Sequence, residues 1–287
     1  MGRLHAQKLE RIDGVELAAV VDRDPSRGLV SDYKKILDQV QAVVIAVPTD
    51  QHYDIARACL DKGLHVLVEK PMTVTLEQAD DLISIASQRK RVLQAGHVER
   101  HNRAFAALSA RMDRPLYIEA ERLSAFKQRG SEVDVVLDLM IHDLDLALAL
   151  AKSSVTQVSA CGFQVLSRDI DIANARVEFA NGCVANLSAS RVSQAPVRKF
   201  RVFQPDLYVS ADLQAGRLRF VRQVNGAIEE QEESHAGGDA LAVQMECFVK
   251  AALGKSPVPV DGHAGREALR LGIEVGRLVR ERLQKFA

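Results

Sequence analysis

The chain has 287 residues, with 38 Lys plus Arg against 38 Asp plus Glu, and is 47% hydrophobic and 26% charged. That length provides for about two domains with an ample core, and the composition excludes a disordered or collagen-like chain. A net charge of zero lacks the basic excess that a nucleic-acid binder sets against phosphates, and no apolar run approaches the roughly 20 residues of a membrane-spanning helix.

The opening residues, Met1-Gly2-Arg3-Leu4-His5, carry no apolar signal core, so neither export nor membrane insertion is expected. A helix pattern covers residues 3 to 12, followed by the apolar run Leu17 to Asp22 and the turn signal Arg23-Asp24-Pro25. Such a run predicts a buried parallel strand. A short helix is expected over 32 to 39. Two further runs, Ala42 to Val47 closing at Pro48-Thr49 and His65 to Glu69 closing at Lys70-Pro71, read as strands. Helices are expected over 51 to 62 and over 75 to 90, the latter with Thr75 as N-cap, and then a strand over 91 to 96. Alternating strands and helices at this spacing give an α/β unit with a Rossmann-like parallel sheet over residues 1–98.

Beyond His97 the pattern changes. Segments 115–122, 155–166, 172–179, 183–190, 198–204, 207–213 and 217–223 read as strands, several with apolar and polar residues alternating, and Asn181-Gly182 marks a turn. Helices are expected over 135–151, 239–253 and 265–285. Residues 99–287 therefore read as an α+β domain with an open, mainly antiparallel sheet.

Cys59, Cys161, Cys183 and Cys247 show no Cys-x-x-Cys spacing, which argues against a disulfide scaffold or a zinc site and for a reducing, cytoplasmic setting. No metal is expected. Open α/β sheets bind ligands outside the carboxyl ends of their strands, which singles out Asp22, Pro48-Thr49, Glu69-Lys70-Pro71 and His97. Asp22 follows Gly2 by 20 residues, the spacing of a dinucleotide fingerprint and the carboxylate that binds the adenosine ribose. A carboxylate there favours NAD, whereas Arg23 keeps NADP open; a solvated strand-end Asp reads equally well. In the helix pattern around Asp138-Leu139-Met140-Ile141-His142, spacing of four puts Asp138 and His142 on one face, either as a proton-transfer pair or as an ordinary helix pair. His97-Val98-Glu99-Arg100-His101-Asn102 forms a polar cluster at the domain junction, where small-molecule clefts are common.

Val21-Asp22-Arg23-Asp24-Pro25, Ala46-Val47-Pro48-Thr49 with His52, His65-Val66-Leu67-Val68-Glu69-Lys70-Pro71, Gly96-His97 with Arg100, and Asp138 with His142 together resemble the Gfo/Idh/MocA oxidoreductase family over nearly the whole chain. More narrowly, Gly96-His97-Val98-Glu99-Arg100, Val135 to Asp143 and Asn181 to Leu187 are similar to members that oxidise the C3 hydroxyl of UDP-N-acetylglucosamine with NAD on the way to lipid A. The resemblance implies a hydride-transfer enzyme acting on a sugar or UDP-sugar, and a homodimer or homotetramer. It assigns Gly2, Asp22, Arg23, Pro48, Thr49, His52, Glu69 and Lys70 to the cofactor, and Lys70, Asp138 and His142 to the reacting hydroxyl. His97, Arg100 and Arg122 fall to the substrate. A dehydrogenase of another sugar or an inositol, and a non-catalytic ligand-binding relative, are the alternatives.

The family opens on a strand and a Gly-x-Gly-x-x-Gly turn, of which Gly2 matches only the last glycine, and residues 22–42 leave room for one helix where the family has more. The sequence is accordingly expected to omit residues of the natural protein.

Overall fold

A computed structural model describes residues 1–27, 29–126 and 133–285. Its helices and strands run, in chain order, α1 (Gly2–Leu9), β1 (Ala42–Ile45), α2 (His52–Asp61), β2 (His65–Glu69), α3 (Leu76–Arg89), β3 (Leu93–Gly96) and α4 (Arg103–Ser109). Next come β4 (Tyr117–Leu123), α5 (Ile141–Ala151), β5 (Val155–Phe163), β6 (Ile172–Phe179), β7 (Val184–Ser190) and β8 (Val197–Gln204). The series closes with β9 (Leu207–Asp212), β10 (Arg217–Val224), β11 (Ala227–Ser234), α6 (Ala240–Ala252) and α7 (Gly262–Gln284). Two compact units result, one of residues 1–98 with 239–266 and one of residues 99–238 with 267–287.

In the first unit β1, β2 and β3 form a parallel sheet in that order, with Ile45 beside Val68 and Glu69 beside Gly96. Val66, Leu67 and Val68 are all fully buried, as expected of a strand covered on both faces. Leu67 packs with Met245 and Phe248 of α6, with Leu9 at the end of α1 and with Ile12 just beyond it. These apolar contacts draw α6 into the first unit, although its sequence position lies within residues 99–287. Helix α3 begins with a capping box: the Thr75 hydroxyl accepts the Gln78 N–H and the Gln78 amide oxygen accepts the Thr75 N–H, an arrangement worth about 1 kcal/mol.

Two expected elements take other forms. Leu17 to Asp22 is not a strand: it makes one parallel bridge, Val21 to Val30, because strand structure needs a hydrogen-bonded neighbour and β1 pairs only with β2 among the described residues. The helix expected over 32–39 shrinks to a single tight turn, Tyr33–Ile36, capped by the Asp32 side chain on the Lys34 N–H. None of its residues is buried, so no packing offsets the cost of helix nucleation.

The second unit carries a sheet in the order β11-β10-β9-β8-β4-β7-β6-β5. Within this sheet only β4 and β7 pair in parallel among the described strands. Alternation sends Ile118 and Ala120, Ala185 and Leu187, Ala175 and Val177, and Phe200 and Val202 inward, where they meet Leu144 of α5 and Leu271, Val275 and Val279 of α7. Strand β5 stops at Phe163 because the next N–H groups, of Val165, Leu166 and Ser167, donate to the Asp171 carboxylate instead of a ladder. Strand β11 escapes the periodicity reading: Ala-Ile-Glu-Glu-Gln-Glu-Glu-Ser lies on the sheet edge, exposed on nearly every residue. Its hairpin is set by Asn225 and Gly226, at φ 51° and 83°, the turn chemistry that two-residue hairpins favour.

Candidate active site

The chemistry of the first unit gathers at the carboxyl ends of its three strands. After β1, Pro48 is exposed and Thr49 half-buried, opening a tight turn before α2. His52 is buried, with Nδ1 2.9 Å from the Pro71 carbonyl and Nε2 3.0 Å from the Val47 carbonyl. It thus ties the end of β1 to the segment after β2, and both of its nitrogens face main chain.

After β2, Glu69 is 8% exposed. Its Oε1 lies 2.7 Å from His5 Nε2 of α1, and its Oε2 accepts the Lys70 N–H at 3.3 Å. Lys70 is half-buried and precedes a cis peptide to Pro71. Beyond β3, His97 is buried and its N–H donates to the Ala95 carbonyl at 2.9 Å. A Cβ at Gly96 would fall 2.9 Å from Glu69 Cα and 3.1 Å from Glu69 Oε2, so glycine leaves the carboxylate its place. Asp22 lies apart from a strand ladder, its Oδ1 accepting the Asp24 N–H at 3.0 Å and its Oδ2 pairing with the exposed Arg27 at 2.5 Å. Arg23 and Gly2 are exposed.

In the second unit Asp138 sits in a π-helical turn, Val136–Met140, that runs into α5, on which His142 is the second residue. Both are half-buried, whereas Ile141, Asp143 and Leu144 between and beyond them are buried. Single π turns recur at functional sites because they re-aim side chains out of the helix register. Arg100 Nε donates to Asp145 at 2.9 Å. His101 is buried beside them and its imidazole is pushed down to about 4, by burial first and then by the Arg100 charge.

Arg122 is only 4% exposed. Its Nε and Nη2 donate to both oxygens of Asp143 at 2.8 Å, and its Nη1 donates to Glu99 at 2.9 Å. Burial opposes its charge, but the two carboxylates outweigh that and keep the guanidinium protonated. A group so committed in the core holds β4 to α5 rather than presenting itself to a substrate. Sequence reasoning missed Asp143 and Glu99 as its partners; the available signal was the inward alternation Ile118, Ala120, Arg122 along β4. His5 was missed as well, since nothing local links it to a residue 64 positions away. Among the described residues no cluster of three or more His, Cys, Asp or Glu is placed to hold a metal, and no helix is long and apolar enough to cross a membrane.

Residues 1–97 match the profile of the Gfo/Idh/MocA oxidoreductase family with its NAD-binding Rossmann fold, and residues 104–204 match that family's C-terminal domain. The chain is 37% identical to UDP-N-acetylglucosamine 3-dehydrogenase of Acidithiobacillus ferrooxidans, over 99% of this chain and 96% of that protein. A solved structure of the Acidithiobacillus enzyme superposes with a TM-score of 0.91 at 38% identity, covering 96% of this chain and 93% of the other. The NAD-dependent scyllo-inositol 2-dehydrogenase of Bacillus subtilis is 27% identical over 67% of this chain and 65% of its own length. The same fold occurs in an inositol dehydrogenase homologue from Azotobacter vinelandii solved with NADH and myo-inositol, at TM-score 0.79 and 20% identity over 97% of this chain and 92% of the other.

A nicotinamide cofactor accords with the family's NAD-binding Rossmann fold, and the Thr49 hydroxyl and Glu69 with Lys70 stand at the carboxyl ends of β1 and β2, where such sheets bind their ligands. With likeness over nearly its full length, the chain belongs to the Gfo/Idh/MocA family of oxidoreductases.

Proposed function

We propose that this chain is an NAD-dependent dehydrogenase that oxidises the C3 hydroxyl of UDP-N-acetylglucosamine to a 3-keto nucleotide sugar, in the cytoplasm, for lipid A synthesis. The observation that carries this reading is the 37% identity to a UDP-N-acetylglucosamine 3-dehydrogenase over 99% of the chain. The nicotinamide ring supplies the acceptor for the hydride. His142 takes the hydroxyl proton, with Asp138, four residues before it, orienting the imidazole. Lys70 stabilises the developing alkoxide and positions the hydroxyl. Asp22 receives the adenosine ribose, which favours NAD over NADP, while Pro48, Thr49 and Glu69 line the cofactor cleft.

His52 enters this scheme through the two main-chain carbonyls it faces, as the residue that sets the Pro48-Thr49 and Pro71 segments. Arg100 and His97 remain substrate-side candidates; Arg122 does not, because Glu99 and Asp143 take up its guanidinium. A homodimer or homotetramer through the exposed face of the second unit's sheet is part of the reading, supported by the family likeness and by the partly exposed Tyr117 and Phe203, whose tilted rings lie 5.5 Å apart there.

The scyllo-inositol 2-dehydrogenase relative in Bacillus subtilis favours a second reading, oxidation of an uncharged polyol. Turnover separates the two. NADH formation with UDP-N-acetylglucosamine that is at least tenfold faster than with myo-inositol, and lost in Lys70→Ala and His142→Ala, supports the proposal; equal or better turnover of the polyol contradicts it.

A further inference from the structure

The Glu69 carboxylate is held by three elements of the first unit at once. On α1, His5 is 2% exposed and its Nε2 lies 2.7 Å from Oε1. A carboxylate only accepts hydrogen bonds, so Nε2 carries the proton. On β2 itself, Oε2 accepts the N–H of Lys70, the next residue. On β3, Gly96 stands opposite Glu69 in register, and a side chain there would press within 3.1 Å of Oε2.

Register also fixes which layer this is. Leu67 and Glu69 point to the same face of the sheet, two residues apart, and Leu67 packs against α6, the helix on which α1 rests. His5 therefore reaches Glu69 from the α1 and α6 side, through a buried layer that also holds Gln94, opposite Leu67 on β3. A buried polar contact of this kind contributes little net stability compared with an apolar pair of the same size. Its place, one residue before Lys70, suggests what it does contribute. The Oε2 bond fixes the tilt of the peptide between residues 69 and 70, and hence the direction in which the Lys70 side chain leaves the strand. His5 in turn fixes Oε1, so that the carboxylate has a single orientation from which to receive that N–H.

We propose that His5 is a positioning residue for Lys70, acting through Glu69; this rests on the reading that Lys70 serves the reacting hydroxyl. His5→Met keeps the volume and removes the donor, and His5→Gln keeps an amide N–H at about the reach of Nε2. Two readouts are needed. Amide hydrogen exchange at Lys70 reports the peptide directly and requires no turnover: His5→Met speeds it at least tenfold while the Val68 amide, inside the β2–β3 ladder, is unchanged, and His5→Gln restores most of the protection. In turnover with UDP-N-acetylglucosamine, His5→Met lowers kcat at least tenfold with KM for the sugar within threefold, and His5→Gln recovers most of kcat. Unchanged Lys70 exchange in His5→Met overturns the proposal, as does equal loss of kcat in both variants. A protein without turnover whose Lys70 amide still responds to His5→Met contradicts the assigned reaction and leaves the positioning contact standing.

Discussion

Replacing Arg122 by Met distinguishes a structural arginine from a substrate-binding one. The wild-type guanidinium makes two bonds to Asp143 and one to Glu99, which are 3% and 5% exposed. Met fills most of the volume but leaves Asp143 buried without its cation. Arg198, half-exposed, still reaches Glu99 at 3.2 Å, so Glu99 keeps part of its compensation. Removing one partner of a buried ion pair costs about 3–5 kcal/mol. For a domain of this size each kcal/mol is worth about 2–4 °C, so the melting temperature falls by about 6–20 °C. Burial pushes the Asp143 carboxyl up and Arg122 opposes it. Without Arg122 the folded carboxyl rises further above its unfolded value, and a raised folded pKa stabilises below the unfolded pKa and is lost as pH rises. The deficit of the variant is therefore smaller near pH 5 than near pH 8. Thermal melts followed by circular dichroism at both pH values measure this. A variant that melts within 2 °C of wild type but shows a tenfold higher KM for the nucleotide sugar refutes the structural assignment.

Asp171 offers a second pH test. Burial works to raise its pKa, but bonds from the Ser167 hydroxyl, Arg191 and the N–H groups of Ser167 and Val165 outweigh that and hold the carboxyl well below the usual range. A depressed folded pKa stabilises above the unfolded value near 3.9 and is lost as pH falls through the folded one. Asp171→Asn should therefore cost about 2 kcal/mol in urea unfolding at pH 7, with the gap to wild type narrowing below about pH 4; a gap independent of pH counts against the carboxylate cage. Gln244, fully buried on α6, has neither amide atom hydrogen-bonded among the described residues. Gln244→Met removes that desolvation penalty and should raise stability by about 1 kcal/mol, whereas a loss of 1 kcal/mol or more would show that the amide is satisfied in solution.

The legible parts of this fold are those whose signal is local. Val-rich runs at β1 and β2, the Thr75 cap and the alternation of β6 to β10 could each be read from a short window, and the spacing of Asp138 and His142 from a single helix turn. Leu17 to Asp22 has the same local signal as β2 yet forms no strand, because pairing is a property of the neighbour and not of the run. Strand β11 shows the converse: its glutamates carry no alternation, and it is held by the hairpin at Asn225-Gly226 and by cross-strand pairs such as Arg219–Glu230 at 2.7 Å. Arg122 falls to the substrate by the family resemblance, although its parity with Ile118 and Ala120 places it on the buried face. The His5–Glu69 contact joins residues 64 apart, and only the packing of α1 against the sheet reveals it.

NADH binding tests the central claim most directly. The chain contains no Trp, so NADH fluorescence can be followed with little interference from the protein. Titrating the 287-residue chain with NADH, alone and with UDP-N-acetylglucosamine present, should give saturable binding that the nucleotide sugar tightens. Saturable NADH binding indifferent to the nucleotide sugar would contradict the substrate, and absence of saturable binding would contradict the assignment of this chain as a working dehydrogenase.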